Sequence, residues 1–308
     1  MTAPASALAA RPAVYGESAV DMVMQYQVIL NAIVAQTLAE LLDYWPLLNP
    51  FDVDATAGKW IDPVLDVVMA QRQKSRAGAI GFYDSWRTHR LGDVEPAPRP
   101  MREDDGRDVV RNQLVSSGPA NLKAKTRAAK GQKPETQEET IRRAARFTLV
   151  DFMGSATRAV MDADREATFE MQELDEMAYG FQRVTGGSKR PCAFCVMLAS
   201  RGPIYVSRES AERVVNPSGK RALGDKYHDN CQCRAVPAFS SDEPWFGSNA
   251  DYREAYDRVT RGFDSAESRL RFRRYWEGRN VDDGKSPAEE RARPQEAGGS
   301  GQGASGES

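Results

Sequence analysis

Four cysteines and one of two histidines fall in one stretch of this chain. They read Cys192-Ala193-Phe194-Cys195, then thirty-two residues, then His228-Asp229-Asn230-Cys231-Gln232-Cys233. A C-x2-C turn presents two thiolates from one side, and an H-x2-C-x-C segment can supply the remaining ligands of a tetrahedral zinc site. Five candidates compete for four positions. The preferred set is Cys192, Cys195, His228 and Cys231, with Cys233 either replacing one of them or lying buried beside the metal. Two disulfides also satisfy the even count, and unpaired thiols are a third reading. Disulfides belong to oxidising compartments. The opening Met1-Thr2-Ala3-Pro4 has neither a charged segment nor an apolar run typical of an export signal.

The scarcity of histidine restricts catalytic mechanisms. His89 sits among basic residues in Arg87-Thr88-His89-Arg90 and reads as a surface residue. His228 could form a dyad with one of the cysteines, but paired cysteine spacing fits coordination better than a single activated thiolate. A zinc with an open water position would need a base such as Glu209 or Glu212. The chain carries no G-x-S-x-G elbow, no H-E-x-x-H helix and no phosphate-binding G-x4-G-K-[ST] loop. The balance leans away from an enzyme.

The elements that position the cluster follow from apolar spacing. Residues 1–16 are Ala- and Pro-rich and are expected to be disordered. A helical region spans 17–134. Ser18 is a plausible cap for a helix through Met22, Tyr26, Ile29, Ile33 and Leu41 that stops at Pro46. A second amphipathic segment runs from Trp60 to Trp86, with Gly78 and Gly81 as possible breaks. Pro96, Pro98 and Pro100 form a connector, Asp104 to Ser116 a short helix, and Ser117-Gly118-Pro119 a turn. The basic run Lys123, Lys125, Arg127, Lys130 and Lys133 reads as a solvated loop.

A central α+β module spans 135–240. A helix from Thr136 to near Arg165 and a second around Ala167 to Ala178 lead into Tyr179–Thr185, which alternates like a half-buried strand. Ile204-Tyr205-Val206 is another strand candidate, and Arg208 to Val215 a helix capped by Ser207. Residues 241–283 form a helical, aromatic and basic segment in which Arg269, Arg271, Arg273 and Arg274 interleave with Phe272, Tyr275 and Trp276. That composition suits phosphate contacts, against the plainer reading of a solvated helix face. The tail, 284–308, is rich in Gly, Ser, Glu and Gln and is expected to be disordered. The fold class is α+β, mainly helical. A net charge of −2 argues against global coating of nucleic acid. The apolar run Val28 to Ala35 is too short for a membrane span.

Arg183-Val184-Thr185-Gly186-Gly187, Cys192 to Tyr205 and Tyr227-His228-Asp229-Asn230-Cys231-Gln232-Cys233 resemble the MuF-like minor capsid proteins of tailed phages, in the form found in phages of actinobacteria. Ser116 to Leu122 resembles the segment preceding that family's core. Many relatives place proline after the histidine, where this chain has Asp229. The resemblance implies a head morphogenesis protein made in the host cytoplasm and incorporated into the virion near the portal, with portal, capsid or scaffold protein as partners. Packaged DNA would be a further partner through the arginine cluster. Similar phage proteins are also labelled capsid maturation protease, which is the alternative function.

Overall fold

The computed structural model describes residues 12–100, 106–127, 131, 133–186, 191–207, 210, 215–216, 219–220 and 231–278. It is mainly helical with a small antiparallel sheet. The expected tail at 284–308, like Lys130, lies outside the described residues.

Three long helices form the body. α1 is Glu17–Tyr44, with Gly16 at its cap and Ser18 already inside the first turn. Its positions Val23, Leu30, Val34 and Leu41 are buried. Met24, Val28, Ile29 and Leu42 on the other side remain exposed. The stretch Glu17–Leu47 is long and apolar enough to cross a membrane by length and composition, yet one side of it packs into the protein core. A turn at Trp45–Leu47 ends the helix at Pro46.

α2, Val53–Leu91, starts seven residues before the expected segment because Asp52 caps it, accepting a hydrogen bond from the Ala55 amide at 3.2 Å. It runs unbroken through Pro63, Gly78 and Gly81. Gly78 serves packing rather than a break: a Cβ there would lie 3.2 Å from the Tyr26 hydroxyl, so the missing side chain lets α1 and α2 approach.

α3, Arg107–Val115, continues through a π-helical turn at Ser116–Ala120 into α4, Asn121–Thr126. The Ser117-Gly118-Pro119 turn is therefore helical. Gly118 lies under Trp60, where a Cβ would sit 2.9 Å from the ring. Lys123 and Lys125 are likewise not on a free loop. They project from α4 and pair with Asp54 at 2.6 Å and Asp151 at 2.5 Å.

α5, Pro134–Leu174, merges the two helices expected there into one. The end expected near Arg165 does not occur because Arg165 points inward, 1% exposed. Trp60, Trp86, Leu30, Phe152 and Val160 share one core with Val184 and Val236 of the sheet.

The sheet pairs β1, Gly180–Val184, with β4, Arg234–Ala238, in register from Gly180 opposite Ala238 to Val184 opposite Arg234. Both strands are buried along their full length, which is why β1 shows no solvent face. Pro237 is tolerated because the carbonyl of its partner Phe181 accepts from the Tyr205 amide at 3.3 Å, so no ladder donor is needed from the proline. Tyr205 therefore adds a bridge on the other side of β1. Between the two strands lie α6, Ala193–Ala199, and a short pair, β2 Val215–Asn216 with β3 Gly219–Lys220. Ser207 accepts the Ser210 amide as expected of a cap, but Val215 pairs with Lys220 as strand instead of ending a helix.

After β4 the expected single helical stretch is two helices, α7 Gly247–Thr260 and α8 Ser265–Trp276, separated by a turn with Gly262 at φ 81°. The chain near the amino terminus is also docked. Val14 bridges to Trp245 and Tyr15 is buried, so ordered structure begins before residue 16.

Candidate metal centre

Cys192 occupies the cap position of α6. Its Sγ accepts a hydrogen bond from the Cys195 amide at 3.3 Å, taking the place that a serine or aspartate oxygen fills in other helix caps. The C-x2-C pair is thus a helix start, which the spacing alone did not reveal. Cys231 and Cys233 lie immediately before β4, and pairing of β4 with β1 carries them back to α6. Cys195 Sγ and Cys231 Sγ are 3.6 Å apart across 36 residues of sequence.

The sulfurs of Cys195, Cys231 and Cys233 all lie within 4.8 Å of one another. These three residues are 2%, 2% and 5% exposed, and the half-buried Cys192 packs against them. All four are free thiols. Cys233 is thus one of the three clustered sulfurs. His228, Glu209 and Glu212 fall outside the described residues. His89 is exposed at the end of α2, its ring 5.8 Å from that of Trp86.

Electrostatics around the sulfurs favour negative charge at one of them. Hydrogen bonds from Cys195 and Cys233, followed by the guanidinium groups of Arg165 and Arg183, hold the Cys231 thiol well below its ordinary range. Cys195 is pushed upward by its hydrogen bonds to Cys192, Cys231 and Cys233 and by burial. Clustered thiols that cannot all ionise together are what a soft divalent cation resolves, and buried sulfur donors select such metals. The donor set fits a metal ion.

Arg165 is the supporting residue that pattern reading missed. Its Nη2 donates to the Cys231 and Cys233 carbonyls, and Asp162 pairs with Nη1 at 2.7 Å. Arg234 is also buried, over the rings of Tyr26 and Phe82 at 4.1 and 4.2 Å, with Asp164 3.4 Å away. Apolar periodicity assigns arginine to solvent, so neither was visible. The only available signal was charge on the inward stripe of α5, at Asp164 and Arg165.

The arginine cluster of α8 divides. Arg271 is buried, 3.9 Å from the Phe263 ring centroid, and donates to the Val259 carbonyl, so it cannot face a partner. Arg269, Arg273 and Arg274 are exposed, and Arg273 pairs with Glu277 at 2.8 Å. Trp276 ties the same helix to the cysteine turn by donating to the Pro191 carbonyl at 2.7 Å.

The fold and the cluster define a mainly helical α+β protein with a small sheet and a buried thiol centre able to hold a metal ion. The family model described as VG15 protein matches residues 17–259, and the chain belongs to this phage protein family. No curated protein and no solved structure matches it.

Proposed function

We propose that this phage protein is a minor capsid, head morphogenesis component that acts at the portal during virion assembly. The observation that carries the reading is the burial of Cys195, Cys231 and Cys233, at 2%, 2% and 5% exposure. A metal held there would be enclosed on the side of these three sulfurs and fasten the chain, as structural sites do, whereas a catalytic metal keeps an open position. Family membership over residues 17–259 supports the phage setting, and the resemblance of the cysteine segments to MuF-like proteins supports the place in the head.

The metal in this reading is zinc, held by Cys192, Cys195, Cys231 and Cys233. The packing of Cys192 against the other three cysteines supports the all-cysteine set. Portal, capsid or scaffold protein are the partners, the virion interior is the location, and the exposed Arg274, off the groove lined by Arg269 and Arg273, supplies a contact to packaged DNA. The protease alternative rests on resemblance alone.

Proheads assembled with and without the protein, counted by mass spectrometry for portal, capsid and scaffold species, test the reading. Defective portal incorporation or head assembly with normally processed capsid protein is the expected result. Accumulation of unprocessed capsid in otherwise complete heads would replace it with the protease.

A further inference from the structure

The chain leaves a cavity of about 530 Å³ between α6 and α8. Phe194 and Met197 of α6 and Leu270 and Phe272 of α8 line it. Phe272 is 1% exposed and closes the base, while Leu270 is 50% exposed at the mouth. A volume of this size accommodates one or two large side chains. Met197 and Leu270 beside Phe194 and Phe272 give an adaptable lining of mixed aliphatic and aromatic character.

The mouth is charged on one side. Arg269 and Arg273 both reach it, and Glu277, the one acidic residue lining it among the described residues, is paired with Arg273. Arg269 makes no hydrogen bond or ion pair among the described residues, and its charge adds only a minor pull on the Asp264 carboxyl, which backbone amides already hold below the ordinary range. One guanidinium is therefore in excess beside an apolar recess. That combination complements a group carrying an aliphatic side chain next to a carboxylate.

We propose that this groove docks a short linear peptide segment of a partner protein in which leucine-like side chains alternate with acidic ones. The apolar side chain enters between Met197 and Leu270, and the neighbouring carboxylate meets Arg269. Such a segment binds through one buried anchor and one fixed charge. The inference does not depend on the assembly reading, because it needs only the groove.

Fluorescence anisotropy on the full chain tests it, with a labelled peptide of alternating leucine and glutamate as the probe. Matched peptides with serine in place of leucine, or lysine in place of glutamate, are the controls, together with oligothymidylate and laurate as competitors. Saturable binding of the leucine–glutamate peptide alone is expected, weakened about tenfold or more by Arg269→Glu and by Leu270→Asp. Both positions are on the surface, and unchanged circular dichroism certifies the fold. Equal binding of the serine–glutamate peptide would reduce the effect to charge attraction and overturn the proposal. Absence of binding, or full displacement by oligothymidylate or by laurate, would overturn it as well.

Discussion

The Arg165 guanidinium donates from Nη2 to the Cys231 carbonyl at 2.7 Å, fastening the C-terminal part of the longest helix to the cysteine segment. The same nitrogen reaches the Cys233 carbonyl at 3.0 Å. A fork that binds two carbonyls at once fixes the direction of both cysteine side chains, the task that outer-shell groups perform in metal sites. Arg165→Met should weaken zinc retention about 10–100-fold, read by competition with a chromophoric chelator. Arg165→Lys should fall between, since one ammonium can replace the Nη2 contacts but not the additional Nε contact to Cys233 and the Nη1 pair with Asp162.

The ligand set is separable by substitution. Cys233→Ser and Cys195→Ser should each abolish stoichiometric zinc, whereas His228→Ala should keep about one zinc per chain, measured by mass spectrometry of the metal after purification under reducing conditions. A His228→Ala protein without zinc, alongside a zinc-loaded Cys233→Ser protein, would instead restore the histidine-containing set.

What the sequence made legible was what periodicity controls. α1 and the bulk of α5 follow from apolar residues three and four apart, and β1 is legible as a strand from the alternation over Tyr179–Thr185, although the half-exposed face that alternation implies is buried. The misses have specific physical causes. Ser117-Gly118-Pro119 has turn composition, yet Gly118 is there to admit Trp60 and the helix passes through it. β4 contains Arg234 and Pro237, two residues that argue against a central strand. One is neutralised by Asp164 and aromatic rings, and the other needs no donor because Phe181 pairs elsewhere. For the site, the cysteine spacing gave the cluster, but the inclusion of Cys233 depends on how far β4 carries the chain. Only tertiary contacts determine that.

Glycines at two positions should respond in opposite directions. A Cβ on Gly186 would lie 2.1 Å from the backbone oxygen of Gln232, which sits between Cys231 and Cys233. Backbone cannot swing away as a flexible side chain does, so Gly186→Ala should cost about 1–3 kcal/mol and also loosen zinc. Gly81, inside α2, has nothing within 4 Å of its would-be Cβ. Gly81→Ala should stabilise by about 0.5–1 kcal/mol through helix propensity. Urea unfolding of the two variants checks both signs.

Stability should decline in alkali through three tyrosines. Tyr15 donates to Glu243 at 2.6 Å, Tyr26 to Asp164 at 2.7 Å and Tyr83 to Asp175 at 3.0 Å. Burial first, and the carboxylate beside each hydroxyl next, push all three above the ordinary tyrosine range. A raised folded-state pKa means the contribution is complete below the unfolded value, about 10, and shrinks as pH climbs past it. Each tyrosine should add about 1.4 kcal/mol of lost stability per pH unit above that point. Tyr26→Phe should remove one such increment from the slope between pH 10 and 11, measured by urea midpoints at each pH.

The pairing of Val184 with Arg234 also has a kinetic meaning. β1 and β4 are adjacent in space but remote in sequence, so they join only after the whole intervening chain has closed on itself, and long closures are slow. The helical body depends mostly on contacts within and among α1, α2 and α5 and can form without that closure. Metal capture by Cys195 and Cys231 would act as a latch on the final step. Refolding in a chelator should therefore accumulate a species with native helix content and an unlatched sheet, and adding zinc should release it to the native state in a single late phase.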